Sequence, residues 1–175
     1  MKKRITISLN DKKSLKNAID ELERMKKVAK QINDEFLKRC LVWIKERADF
    51  YLDRRVGKYK GTAEISKSWI IEKVDKNRWR LRNVNPVGAY VEFGTGLIGE
   101  QNPHGKANEL GYEYDVNNHG SKGWNWKNEE LGISMFGFKG YEGKSFLYDA
   151  FLDFTIFGKY KEIYQELIKE KTGLK

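Results

Sequence analysis

The residues whose spacing most resembles a chemical motif are the glycines after position 93. Gly94, Gly96 and Gly99 match the G-x-G-x-x-G pattern of dinucleotide-binding turns. That chemistry requires a helix to open at the glycines, because the helix N-terminal amides bind the pyrophosphate. Asn102 and Pro103 follow too closely to allow a helix of useful length, and no strand–helix–strand unit surrounds the turn. We therefore expect a tight glycine turn and no cofactor.

Histidine and cysteine are too scarce to build an obvious metal or thiol site. The only histidines are His104 and His119, which lie 15 positions apart in polar segments without further ligands at a characteristic spacing. We expect both to be exposed loop residues and predict no bound metal. The single cysteine, Cys40, falls on the apolar stripe of a helical segment, where a free thiol behaves as a small hydrophobic group.

Two other pairs of residues could support chemistry but have simpler explanations. Asp149 and Asp153 are one helical turn apart, and carboxylates at this spacing usually form a solvated helix edge. Trp124 and Trp126 could stack nucleic-acid bases, although tryptophans on one strand face more often fill a core or a subunit contact. Since no nucleophile, base and orienting group occur together, we predict no catalytic residues and no enzymatic activity.

The net charge of +9 is concentrated in the first third of the chain. Residues 1–60 hold 18 Lys and Arg against 9 Asp and Glu, whereas the remainder is neutral. The asymmetry leaves open a non-specific nucleic-acid-binding module that uses basic N-terminal helices, with Lys26, Lys27 and Lys30 as candidate contacts for DNA or a partner. Acidic residues are interleaved throughout, so a solvated, salt-bridged helix surface is the alternative that we favour.

Apolar periodicity predicts the helices that must position these residues. Residues 14–55 contain neither glycine nor proline and carry apolar side chains at helical spacing, so one long helix or two abutting helices are expected. A C-terminal helix is predicted from about Ser145, and Gly158 should kink or divide it. Residues 5–9 alternate, which is typical of a short strand.

The middle of the chain has the period of two that is typical of strands. An antiparallel meander is predicted from three segments: residues 68–74, 78–84 and 88–93. In the second segment, Arg78, Arg80 and Arg82 fall on one face. Beyond the meander we predict a long mobile loop, a hairpin and one more strand, over residues 94–110, 112–126 and 133–138 respectively.

Residues 86–96 are the most specific stretch of the sequence. Their order, Pro-Val-Gly-Ala-Tyr-Val-Glu-Phe-Gly-Thr-Gly, resembles the VEFGTG signature of the phage tail-completion family, the minor tail or head–tail neck proteins of long-tailed bacteriophages. The structural signature consists of seven residues: Tyr90, Val91, Glu92, Phe93, Gly94, Thr95 and Gly96. As a strand, it would bury Val91 and Phe93 and point Glu92 the other way, toward the glycine turn or a partner subunit.

Two further segments resemble the same family. Residues 62–69 look like its TGxLxxSW segment, with Ala63 in place of the usual glycine. Residues 139–150 look like the kGxxaxPFLxxA segment that precedes its last helix, with Ser145 where proline is common. The connection over about residues 97–132 is longer and more aromatic than is usual for the family.

These patterns and the resemblance predict an α+β fold, with a mostly antiparallel sheet flanked by a long N-terminal helix, or two, and a C-terminal helix. We expect a single domain over residues 1–175, with a loop and hairpin insertion at about 95–132. The resemblance implies a structural virion protein that completes the tail or joins it to the head, assembled in the host cytoplasm. It implies several partners: other copies in a ring, adjoining neck, tail-terminator or tail-tube proteins, and transiently genomic DNA. Neither a membrane nor a small-molecule substrate is expected.

Overall fold

The fold is α+β, as the sequence predicts. The computed structural model describes residues 12–57, 60–129 and 132–172. A long N-terminal helix and two C-terminal helices flank antiparallel strand pairs. The strand predicted over residues 5–9 lies outside the described residues.

The N-terminal segment forms one helix, α1 (Lys12–Val56), and not two. At about 1.5 Å per residue its 45 residues extend for about 67 Å. Its second half carries a buried stripe, which contains Cys40, Ile44, Ala48 and Leu52. The helix ends at Gly57, whose φ of +96° is a left-handed conformation that favours glycine. A short helix, α2 (Lys60–Lys67), follows.

The C-terminal region packs along α1 as two helices, α6 (Phe146–Ile156) and α7 (Lys159–Thr172). Gly158, with a φ of +64°, divides them, which confirms the predicted break. Arg47 Nε lies 2.6 Å from Asp153 Oδ2, and Arg39 Nη2 lies 2.8 Å from Glu170 Oε2. Both C-terminal helices are therefore tied to α1 by ion pairs as well as by apolar packing.

Two of the three predicted meander strands are present, as an antiparallel hairpin of β1 (Trp69–Asp75) and β2 (Arg78–Asn83). Leu81 packs against the main core, and the Trp79 Nε1 atom lies 3.5 Å from Asp34 Oδ1 of α1. The alternation of β2 thus places its apolar side chains toward α1, as the sequence pattern predicts.

The third predicted strand is wrong, because residues 86–93 form a helix, α3 (Pro86–Phe93). The Asn85 side chain accepts a hydrogen bond of 2.9 Å from the Val87 N–H, and Pro86 occupies the first helical turn. Asparagine at the N-cap followed by proline is a favourable helix start. These signals outweigh the short alternation of apolar residues that suggested a strand.

The predicted loop over residues 94–110 is also wrong. It contains β3 (Gly94–Thr95), α4 (Gly96–Gln101) and α5 (Ala107–Leu110). Strand β3 pairs antiparallel with β6 (Tyr141–Glu142). The first three glycines of the segment are buried, so this region is packed against the rest of the chain.

The predicted hairpin pairs differently from the sequence interpretation. Residues 112–116 form no strand, and β4 (Trp124–Asn128) pairs antiparallel with β5 (Ile133–Phe138). A single turn of 3₁₀ helix, Gly120–Lys122, precedes β4. The strand predicted over residues 133–138 is confirmed.

Candidate functional site around Glu92

The three segments that resemble the tail-completion family meet in one core. Buried Ile65, Val91 and Phe146 come from α2, α3 and α6 and share a cluster with the second half of α1. The Trp69 ring lies 6.1 Å from the Phe146 ring, and the Asn83 side-chain amide donates to the Ile65 carbonyl at 2.7 Å. Segments separated by about 70 positions in the chain therefore form one packed unit.

Glu92 is a buried charged residue beside this core, next to Val91 in the chain. It is 6% exposed, and its carboxylate accepts hydrogen bonds from the backbone N–H groups of Leu147 at 2.8 Å and Tyr148 at 2.9 Å. These amides belong to the first turn of α6, where helix N–H groups lack a partner within the helix. The preceding residue, Ser145, makes no side-chain cap. Glu92 thus supplies the cap that α6 lacks, and its negative charge faces the positive end of the helix.

The backbone reinforces the same junction. The N–H groups of Lys144 and Ser145 donate to the carbonyls of Val91 and Glu92 at 2.8 and 3.1 Å. A β-carbon at Gly143 would come within 2.5 Å of the Glu92 carbonyl oxygen, so only glycine allows this approach. The signature segment and the start of α6 are therefore joined through main chain and side chain together.

His104 also lies at this junction, so its prediction as an exposed loop residue is wrong. It is buried, and its Nδ1 atom accepts a hydrogen bond of 3.1 Å from the Lys106 N–H. An accepting Nδ1 places the proton of the neutral ring on Nε2, which lies 3.3 Å from Glu92 Oε1. That contact is poorly directed, so Nε2 makes no full hydrogen bond within the described part of the chain. His104 thus adds a polar neighbour to the Glu92 carboxylate.

The environment of Glu92 raises the pKa of its carboxyl group. Burial is the largest cause, because it penalises the ionised form. The amides of Leu147 and Tyr148 and the nearby His104 act in the opposite direction and offset part of the effect. The ionised form of this carboxyl group is therefore less favourable in the folded protein than in water.

The other signature residues have distinct surroundings. Val91 is buried, whereas Phe93 is half-buried and stacks on Tyr112 with ring centroids 4.5 Å apart. Tyr90 is exposed. Gly94 and Gly96 are buried. Thr95 is half-buried, and its hydroxyl has no hydrogen-bond partner among the described residues.

The two backbone donors to Glu92 do not come from the glycine turn, one of the two directions that the sequence predicts for this side chain. The Gly96 N–H donates to the Tyr114 carbonyl, and the Gly94 carbonyl accepts from the Tyr112 hydroxyl at 2.8 Å. The real donors to Glu92 are more than 50 positions away, and no local feature of the sequence points to them. Sequence reasoning identified the carboxylate and missed its partners.

The remaining candidate residues are held by contacts within the chain. His119 is half-buried, with its Nδ1 atom 2.7 Å from Asp115 Oδ1 and its ring 4.7 Å from Trp124. The Trp126 side chain lies outside the described residues. Asp149 pairs with Arg55, and Asp153 accepts from the Tyr51 hydroxyl, so both tie α6 to α1 and do not form a solvated edge.

The predicted role of Cys40 is confirmed. Its thiol is buried on the apolar stripe of α1, and burial raises its pKa to about 11. Lys26 and Lys27 are exposed on α1; Lys30 lies on the same helix, with a side chain outside the described ones. Within the described residues, no three His, Cys, Asp or Glu side chains are grouped so as to hold a metal ion.

The chain has no match among protein-family models, curated proteins or solved structures. Among its described helices, none combines the length and the apolar character needed to cross a membrane.

Proposed function

We propose that this protein is a structural subunit of a bacteriophage or prophage virion that completes the tail or joins the tail to the head. The observation that supports the proposal most directly is the convergence of the three family-like segments, residues 62–69, 86–96 and 139–150, in one core. An accidental resemblance in three separate segments gives no reason for them to pack together. A fold shared with the family, by contrast, requires the three segments to pack together.

The surroundings of Glu92 favour a structural role for the signature. Its carboxylate oxygens accept from two backbone amides, and it is almost completely buried. A general acid or base must exchange a proton with a substrate, whereas both oxygens of this carboxylate already accept from backbone amides. Glu92 is therefore better suited to fix α6 against α3 than to catalyse a reaction.

Exposed apolar side chains on the β4–β5 hairpin support a protein that functions within an assembly. Phe136 is 83% exposed, and Ile133 and Met135 on the same strand are also exposed. Single exposed apolar residues are normal, but several large ones on one short hairpin are typical of a surface that another protein covers. Self-association in a ring would bury such a surface by a repeated heterologous contact.

The test is genetic and structural. Deletion of the gene in the phage or prophage that encodes it should yield filled heads and tails that fail to join, visible by electron microscopy. Expression of the parent protein should restore infectious particles. A Phe136→Ser variant should melt like the parent, because this side chain is exposed, yet restore fewer particles. Normal virions after deletion would refute the proposal.

A further inference from the structure

The outer face of the β1–β2 hairpin carries a row of three arginines, Arg78, Arg80 and Arg82, here called the arginine row. Their side chains are 69%, 55% and 49% exposed. Trp79 and Leu81, the alternate residues of β2, lie on the opposite face. Trp79 contacts α1 and Leu81 packs against the main core, so they anchor the hairpin. The row therefore projects from a strand that is fixed on its opposite face.

The arginine row has too few carboxylates for its charge. Glu72 is shared, with its Oε1 atom 3.7 Å from Arg80 Nη1 and 3.2 Å from Arg82 Nε. Arg78 Nε lies 3.1 Å from Asp75 Oδ2. The exposed Lys76 at the turn adds another positive charge. Exposed pairs of this kind contribute little and exchange readily, so the guanidinium groups are available to an external anion.

The geometry points to a linear polyanion as the ligand, and we propose that the arginine row binds the phosphate backbone of a nucleic acid without regard to its sequence. Alternate residues of a strand repeat about every 6.6–6.8 Å, so the row presents a regular line of charge and not a single pocket. The planar guanidinium fork matches two phosphate oxygens at once. The described part of the hairpin's outer face offers no aromatic ring for base stacking, so contact should be limited to the backbone.

An acidic protein is the competing partner, and the surface fits it less well. Protein interfaces normally have an apolar centre with a charged rim. On the outer face, Ile70 is opposite Arg82 and is half-buried, so it offers little apolar surface. A charged face without an apolar centre suits the counterion release that drives nucleic-acid binding.

The inference differs from the alternative that the sequence leaves open, in which Lys26, Lys27 and Lys30 of α1 are candidate contacts for DNA or a partner. Glu23 is exposed one helical turn before Lys26 and Lys27 on α1, so its negative charge offsets theirs. The arginine row, by contrast, presents three charges on one rigid face. It is independent of the proposed virion function, since it depends only on the β1–β2 hairpin.

The test measures binding of the full-length protein to a labelled random-sequence DNA duplex between 50 and 200 mM NaCl by fluorescence anisotropy. Neutralisation of three phosphates predicts a slope of about −2.7 for log K against log salt, which is about a 40-fold loss of affinity over this range. Each single variant, Arg78→Gln, Arg80→Gln or Arg82→Gln, should make the slope less negative by about 0.9. All three variants should melt like the parent.

The matched control is the double variant Lys26→Gln/Lys27→Gln, which should leave the slope unchanged. No binding at 50 mM NaCl would overturn the inference, as would a slope that responds only to the lysine variant. Tighter binding of polyglutamate than of DNA, with the same dependence on the three arginines, would assign the row to an acidic protein and also overturn it.

Discussion

The Oε2 atom of Glu92 accepts a hydrogen bond of 2.8 Å from the backbone N–H of Leu147, a residue 55 positions further along the chain. This bond joins the end of α3 to the first turn of α6. Because Ser145 makes no side-chain cap for α6, the stability of that helix depends on a residue outside it. Disturbing Glu92 should therefore affect α6 and the packing of α6 on α1.

Glu92→Gln should destabilise the isolated protein by about 1–3 kcal/mol. The glutamine side chain has one acceptor oxygen where the carboxylate has two, so either Leu147 or Tyr148 loses its partner and faces an amide NH₂. Urea unfolding measures the effect as a lower midpoint. Glu113→Gln is the matched control, because Glu113 is exposed, and it should unfold like the parent.

An unchanged midpoint for Glu92→Gln would contradict the local role of the carboxylate. If that variant also failed to restore infectious particles, Glu92 would serve a subunit contact. If particles formed normally, Glu92 would have neither role.

The free energy of unfolding should depend on pH through Glu92. Burial raises the pKa of its carboxyl above the ordinary 4.5, so the folded state binds a proton at a pH where the unfolded chain does not. Stability therefore falls as pH rises through this window and is regained as pH falls toward 4.5. The stability difference between the parent and Glu92→Gln should widen as the pH is lowered from neutral to 4.5. A difference that narrows would mean that the Leu147 and Tyr148 amides outweigh burial.

Gly140→Ala should be among the most destabilising single substitutions in the chain. Gly140 has a φ of +88°, and a β-carbon there would overlap the Thr95 carbonyl oxygen. Backbone strain and steric overlap together predict a loss of about 3 kcal/mol or more. Gly105→Ala is the control, since a β-carbon at that position meets no atom within 4 Å. Thermal melting should separate the two variants clearly, and equal melting temperatures would refute the packing of β3 against Gly140.

Elements are predicted correctly from the sequence where an apolar period continues over many residues or where one residue determines the local backbone. The 45-residue helix α1, the β1–β2 hairpin and the break at Gly158 all follow from periodicity or from one conformationally free residue. Helix α3 was missed because eight residues that contain Val91 and Phe93 fit a strand alternation as well as a helix. Asn85 and Pro86 carry the signal that decides for the helix, because they cap and begin its first turn.

The site was predicted only in part because its contacts are distant in sequence. The sequence predicts that Glu92 points toward the glycine turn or a partner subunit, but its hydrogen-bond donors lie in α6. The burial of His104 likewise depends on Phe93 and Tyr148, whose rings lie 4.6 and 5.1 Å from its own. A polar loop composition cannot reveal such packing, since it results from the tertiary arrangement of α3, α4 and α6.

Cys40 offers a probe of how α1 opens. Its pKa of about 11 in the folded state, against 9.0 for an ordinary thiol, means about a 100-fold smaller thiolate fraction at pH 8. Because the thiolate is the reactive form and the side chain is buried, the folded protein should react with a disulfide reagent at least about 100-fold more slowly than the protein in urea. A Cys40→Ser variant, which should not react at all, provides the baseline.

The same reaction distinguishes global from local opening when it is repeated on Glu92→Gln. If Cys40 becomes accessible only when α6 and α7 leave α1, a loss of about 1.4 kcal/mol in the variant should accelerate the reaction about tenfold. If α1 frays locally near Cys40, the two proteins should react at the same rate, because the backbone hydrogen bonds of the Glu92 carboxylate are to α6. We expect acceleration, since Cys40 lies on the buried stripe that continues into the main core and Arg39 beside it is tied to α7 through Glu170. Equal rates would show that α6 can be weakened without loosening the middle of α1.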